Sequence, residues 1–258
     1  MAQAYFIRVN AIKVFGQHRL RPLVALDAIR RLISNKEDTV QVFRLLTALR
    51  GRSFDRNFAR FRVSPLGVRV LKNKENLVDI LSDRAYLQGL PQGSLGRHFL
   101  AFLDGCGITP QGLNEAASKA GTFEELLSED EVRYARRVRV QHDLWHVIAG
   151  YGCDGFGEVC NVAFSYPHTG NIGFMVIAFA GAHNYGKRFR GEPIKAAMWE
   201  GYRRGKRAKW LPAVDWAALL PLPLAQARAL VGVTDLPSHY IAAPIAIAQS
   251  RTMAPATA

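Results

Sequence analysis

His142 and His146 stand four residues apart, with an acid, Asp143, directly after the first. Glu158 follows twelve residues after His146, across a break that carries Gly150, Gly152, Gly155 and Gly157. On a helix, side chains at i and i+4 lie one above the other on the same face. Two imidazoles placed in this way can grip one divalent metal ion, and a returning carboxylate can supply a third ligand. Three protein ligands leave a coordination position open for water or substrate, as metal sites that do chemistry require. Asp143 falls about 100° around the helix from His142. There it could complete the shell, orient a ligand from behind, or act as a base. The plainer alternative is a pair of helical histidines with unrelated acids.

Other chemistries fit less well. HDLWH resembles HExxH with Asp in place of Glu, and in HExxH peptidases that Glu is the general base. Asp is one methylene shorter, which misplaces the base and counts against a metallohydrolase. Gly150 to Gly155 matches G-x-G-x-x-G, but a dinucleotide fingerprint must follow a strand, and this one follows a helical pattern. His98 and His183 read as structural residues of helices. Three cysteines, Cys106, Cys153 and Cys160, form an odd, sparse set that argues against a disulfide framework and for a reducing compartment. The spacing from Cys153 to Cys160 suits no common zinc site, so both read as small buried residues.

The elements that must position these residues are helical. Ser128-x-x-Glu131 is a capping-box pattern that predicts a helix over 129–149 carrying HDLWH, with Gly150 and Gly152 as stops. Thr122-x-x-Glu125 repeats the pattern. A second helix is predicted from about Asp154, carrying Glu158 and ending at Pro167. The glycines between them read as a tight turn that brings Glu158 back to the histidines. EDTVQVFRLLTALRG places Val40, Phe43, Leu46 and Leu49 at helical spacing, with a stop at Gly51. LGRHFLAFLDG does the same with a stop at Gly105. Further helices are predicted at 171–184, 193–208 and 223–231. No alternating strand pattern persists. The expected fold is all-α, a single multi-helix domain over 20–235 with the metal site between two adjacent helices. Residues 1–19 form an extension and 236–258 a loose tail.

The chain has 258 residues, 49% of them hydrophobic, enough for a sizeable core. Its net charge is +13, with basic clusters at Arg133, Arg136, Arg137 and Arg139 and from Arg203 to Lys209. Such a surplus marks either a solvated basic face or an anionic partner, with an anionic membrane surface favoured over nucleic acid. No RNA-binding signature or helix-turn-helix pattern supports the latter. The longest apolar run, 172–182, is too short to span a bilayer. It reads as core. The alternative is the wall of a lipid tunnel formed by Phe174, Met175, Ile177 and Phe179. With no signal-peptide pattern, the expected place is the cytoplasm, against the inner membrane.

These residues resemble a known family. HDLWH, eleven intervening residues and Glu158 match the H-D-x-x-H-x11-E signature of the coenzyme Q (ubiquinone) biosynthesis protein 4 family. KEDTVQVFRLLTALRG, LPQGSLGRHFLAFL, YRRGKRAKWL and VDWAALLPLPLAQARALVGV are similar to family segments, so the resemblance covers about 20–235. It implies a helical protein that holds a divalent metal, zinc by the usual assignment with ferrous iron as an alternative, through His142, Asp143, His146 and Glu158. These residues would also be the catalytic ones. The implied activity is removal of the C1 carboxylate from a polyprenylated 4-hydroxybenzoate-derived precursor, with oxygen placed at the same carbon. The implied partners are that prenylated precursor, other ubiquinone-biosynthesis proteins, an anionic membrane surface and further copies of the chain, without nucleic acid. A non-catalytic lipid-binding scaffold is the rival the resemblance also allows.

Overall fold

The structure, a computed structural model, describes residues 19–34, 38–112 and 127–240. The expected capping box at Thr122 and Glu125, the extension up to residue 18 and the tail beyond residue 240 lie outside these. The described residues are helical, without a β-strand; one isolated bridge pairs Ser94 with Pro223. The helices are α1 (Pro22–Ser34), α2 (Thr39–Ala48), α3 (Ser53–Arg62), α4 (Pro65–Lys72), α5 (Leu77–Ser82), α6 (Arg84–Gly89) and α7 (Leu95–Cys106). They continue as α8 (Glu129–Ala149), α9 (Gly155–Thr169), α10 (Ile172–Arg188), α11 (Ile194–Arg207), α12 (Trp216–Leu219) and α13 (Leu224–Val231). No helix among the described residues is long and apolar enough to cross a membrane.

The chain groups into two compact units. The first comprises Met1–Ser82, Thr109–Val140 and Thr169–Met175. Its core gathers Phe54, Phe58 and Phe61 of α3 around Tyr134 of α8, with ring centroids 4.9–5.7 Å from the tyrosine. Arg137, one turn further along α8, is buried and lies 6.0 Å from the Phe61 ring. Arg139 stands over Phe43, and Arg133 donates to the Lys74 carbonyl at 2.7 Å. Of this basic cluster Arg137 is interior, Arg133 and Arg139 are half-buried with their stems and guanidinium groups used in packing, and Arg136 is exposed.

The second unit comprises Asp83–Ile108, Gln141–His168 and Val176–Ala258. Its central element is α9, buried on nearly every side. Small residues let α11 approach it: a Cβ added at Gly201 would sit 2.5 Å from the Cys160 carbonyl oxygen, and one at Gly205 2.1 Å from that of Phe164. Gly201 and Gly205 are one turn apart, as are Cys160 and Phe164, so two helix backbones are in near contact. Arg204, between these glycines, is buried and donates to the Tyr151 hydroxyl at 2.9 Å. It is thereby withdrawn from the basic patch, leaving Arg203, Lys206, Arg207 and Lys209 exposed.

Two boundaries differ from expectation. Gly105 lies inside α7, and the left-handed Gly107 (φ 64°) caps it instead. Pro167 lies within α9, which runs two residues beyond it. A proline in the last turn removes one hydrogen bond, and that turn is held by other means: His168 is buried and its carbonyl accepts from Trp210 Nε1 at 2.9 Å. Within the 172–182 run, Met175 and Ala178 are buried as core, while Phe179 stands on the surface against Trp199.

Candidate metal centre

Helix α8 begins as its capping box dictates. Glu131 accepts from the Ser128 backbone N–H at 2.9 Å, and the Ser128 hydroxyl accepts from the Glu131 N–H at 3.4 Å. Three acids in the first turn suit the positive end of the helix dipole. The helix ends at Gly150, whose φ of 79° favours glycine. Two of the last carbonyls, Val147 and Ile148, are satisfied by the Arg228 guanidinium, each at 2.9 Å. The start of α9 is capped by Asp154, whose Oδ1 accepts from the N–H groups of Phe156 and Gly157 at 3.0 Å. Both termini are thus fixed, and the short loop 150–154 has little freedom.

This loop returns Glu158 to the histidines. His142 Nε2 lies 3.2 Å from Glu158 Oε1, and His146 Nε2 lies 3.0 Å from Glu158 Oε2. One ligand-type atom from each of the three residues falls within 4.8 Å of the other two. Every residue from Val140 to Ala149 is buried except His142, and every residue from Phe156 to Ser165 except Glu158. These two exceptions face each other and mark where the pair of helices opens. Side-chain exposure rises from 3% at His146 through 20% at His142 to 44% at Glu158. The group has a closed end and an open end.

The hydrogen bonding invites a cation. His146 Nδ1 lies 3.1 Å from the Gly152 carbonyl oxygen. A carbonyl only accepts, so Nδ1 carries the proton, and a neutral His146 turns a lone pair from Nε2 toward the Glu158 carboxylate. Two acceptors then face each other, and only a proton or a metal ion between them makes the contact favourable. Asn161 Nδ2 reaches the His142 carbonyl at 3.2 Å and His142 Nε2 at 3.4 Å, and so treats that nitrogen as an acceptor as well. The donor set is what zinc or ferrous iron takes, two imidazoles and a carboxylate.

Electrostatics agree with this. Burial alone would raise Glu158, but the charge and hydrogen bonds of His142 and His146 outweigh it and hold the carboxyl far below the usual range. Burial opposes protonation of His142, yet the adjacent Glu158 charge and hydrogen bond raise it above the ordinary imidazole value. Asp143 is not among the three converging residues. It is buried beside them, its Oδ2 has no hydrogen-bond partner, and burial raises its pKa against the lowering influence of the two histidines.

The structure adds residues that sequence reading did not select. Asn161 lies three residues beyond Glu158, on the same face of α9, a spacing that could have flagged it. Phe102 of α7 stacks on His146 with centroids 5.2 Å apart. Gln141 is fully buried next to His142 with neither amide atom hydrogen-bonded. His98 and His183 are exposed and outside the group. The reading of the cysteines needs correcting: Cys106 and Cys153 form a disulfide between the end of α7 and the loop joining the ligands. Their 47-residue separation hides a proximity created only by the packing of α7 beside that loop. Cys160 is buried, as expected.

The family model for the coenzyme Q (ubiquinone) biosynthesis protein Coq4 matches residues 22–237. The chain belongs to the Coq4 family. The family is described as one of ubiquinone biosynthesis. Similar curated proteins include the mitochondrial COQ4 homologs of Rattus norvegicus, 25% identical over 185 residues, and Homo sapiens, 26% identical over 181 residues. Each match covers 70% of this chain and 65% of the relative. The mitochondrial COQ4 of Pyricularia oryzae is 27% identical over 67% of this chain and 55% of its own length. The chain therefore spans just under two-thirds, or less, of these Coq4 relatives. A crystal structure of a protein assigned to ubiquinone biosynthesis from Nostoc punctiforme shares the fold, with a TM-score of 0.56 and 20% identity over 84% of this chain and 100% of that one.

Proposed function

We propose that this chain is a metal-dependent enzyme of ubiquinone biosynthesis that removes the C1 carboxylate of a polyprenylated 4-hydroxybenzoate-derived precursor. The observation that carries the reading is the convergence of His142, His146 and Glu158 at the one opening between two otherwise buried helix stretches. A divalent ion bound there, zinc or ferrous iron, would supply a Lewis acid with an open position and, if iron, the means to use dioxygen.

The residues of the chain do the rest. His142, His146 and Glu158 hold the ion. The Gly152 carbonyl fixes the His146 tautomer, and Asn161 orients His142. Asp143, buried and one position from His142, acts on both imidazoles through its charge and can hold a proton near the reacting ring. The half-exposed side of Glu158 admits the substrate head group, while Phe102 shields His146 from water. Docking of the exposed Arg203, Lys206, Arg207 and Lys209 on an anionic inner-membrane surface, beside the exposed Phe179 and Trp199, brings the chain to its prenylated substrate.

The test is a quinone profile by mass spectrometry in a strain lacking this protein, rescued with wild type or Glu158→Ala. Accumulation of a precursor that still carries its ring carboxylate, cleared by wild type alone, is the expected result. Equal rescue by Glu158→Ala would replace the enzyme with a non-catalytic scaffold.

A further inference from the structure

Beyond α13 the chain returns along one face of α11. Asp235 gives its carbonyl to Arg204 and its carboxylate to Arg207 at 3.3 Å. Ser238 donates its backbone N–H and its hydroxyl to Glu200, at 2.9 and 2.7 Å, and the His239 N–H donates to the same carboxylate at 2.9 Å. Glu200 and Arg204 are one helical turn apart, so the two anchors lie on the same face. The strap is tied down immediately before Tyr240.

Tyr240 lands on the loop that joins the metal ligands. Its hydroxyl accepts from the Gly152 N–H at 2.9 Å and donates to Asp154 Oδ2. Its ring lies between Tyr151 and Phe156, with centroids 5.3 and 5.5 Å away. The seat exists because two residues have no side chain: a Cβ at Gly152 would come 2.8 Å from the hydroxyl, and one at Gly157 2.9 Å. The two groups it touches are the ones that aim the ligands. Gly152 holds His146 Nδ1 through its carbonyl, and Asp154 caps the turn of α9 that presents Glu158.

We propose that Tyr240 is a positioning residue of the metal centre, setting His146 and Glu158 through Gly152 and Asp154 from 86 residues away. This rests on the reading of His142, His146 and Glu158 as metal ligands. Outer partners of metal-bound histidines typically govern affinity by about 10–100-fold.

The experiment uses the full chain and three readouts: Zn2+ affinity by competition with a chromophoric chelator, the visible spectrum of the Co2+-loaded protein, and melting of the metal-free protein. Tyr240→Phe keeps the ring packing and removes only the hydroxyl. It is expected to weaken Zn2+ about 10–100-fold and to alter the Co2+ spectrum, with little change in metal-free melting. Asp154→Asn keeps the helix cap but loses the acceptor, and is expected to do the same; the double variant should be no worse than the weaker single. Wild-type affinity and spectrum in Tyr240→Phe would overturn the proposal, as would a lower melting temperature with metal binding unchanged. A wild-type chain that binds neither ion would overturn the ligand assignment itself, and Tyr240 with it.

Discussion

The two halves of α8 solve the burial of polar side chains in opposite ways. In the first half, Tyr134 and Arg137 are sunk into the phenylalanine cluster of α3, and their polar groups ride on aromatic rings and long stems. In the second half, Gln141, Asp143 and His146 are as deeply buried, yet the Gln141 amide and one Asp143 oxygen lack partners. Histidine nitrogens there point at a carboxylate, at 3.2 and 3.0 Å. An unpartnered buried polar atom costs about 1–3 kcal/mol, so each one here is a cost to the fold. A single helix thus carries a scaffold at one end and the converging His142 and His146 at the other.

The largest expected effect separates the halves outright. His146→Ala should abolish stoichiometric metal, read by elemental analysis of the purified chain, while leaving it folded. Arg137→Met, with a comparable stem and no charge, should retain wild-type metal content and lose at most about 1 kcal/mol of stability. Loss of metal in Arg137→Met would mean that the first half is part of the site, and the contrast would fail.

Much of this contrast was legible in the chain. The capping box and the glycine stop located α8 at both ends, and the H-D-x-x-H spacing with its returning Glu158 picked out the three residues that converge. Local chemistry writes these signals. Helices α1, α3 to α6 and α12 went unplaced, although Ser64 before Pro65 and Asp83 both cap in the structure, with donors at 3.0 and 2.9 Å. Helices α4 to α6, of eight, six and six residues, hold too few turns for a periodic pattern to show. The Cys106–Cys153 bridge, the seating of Tyr240 and the burial of Arg204 had no local signal, because each depends on segments that meet only after packing. Gly201-x-x-x-Gly205 was readable as a close-contact stripe, but its partner was not.

A second, smaller effect is in pH. His142 is raised above its ordinary 6.5 by Glu158, and Glu158 is depressed below its ordinary 4.5. A raised histidine stabilises the metal-free fold below pH 6.5, and that contribution is lost as pH climbs through the folded value. A depressed carboxyl stabilises above pH 4.5, and its contribution is lost as pH falls through the folded value. The metal-free chain should therefore draw most from this pair between those limits. Metal must displace the His142 proton, so the melting-temperature gain from Zn2+ should grow from pH 5 to pH 8, levelling off above the ordinary imidazole range. Thermal melts with and without Zn2+ across that range provide the check. A gain independent of pH would mean that the ion displaces no proton from His142, which is then no ligand.

The smallest effect concerns Asp143, the signature residue that stands apart from the converging three. Its carboxyl is raised by burial, so holding its negative charge inside the fold costs stability. For such a group the stability cost begins as pH rises past the ordinary 3.8 and is complete once the folded value is passed. Asp143→Asn removes that cost. At pH 7 the metal-free variant should melt higher than wild type, by about 2–4 °C for each 1 kcal/mol regained in a chain of this size, and should show no gain near pH 3. Its Zn2+ affinity should fall, because the negative charge that favours a cation on both imidazoles is gone. Stability gained where function is lost is the signature of a residue kept for its chemistry. A variant that melts lower at pH 7 would instead assign Asp143 a structural role like that of Tyr134 and Arg137, and the boundary between the two halves of α8 would move to its far side.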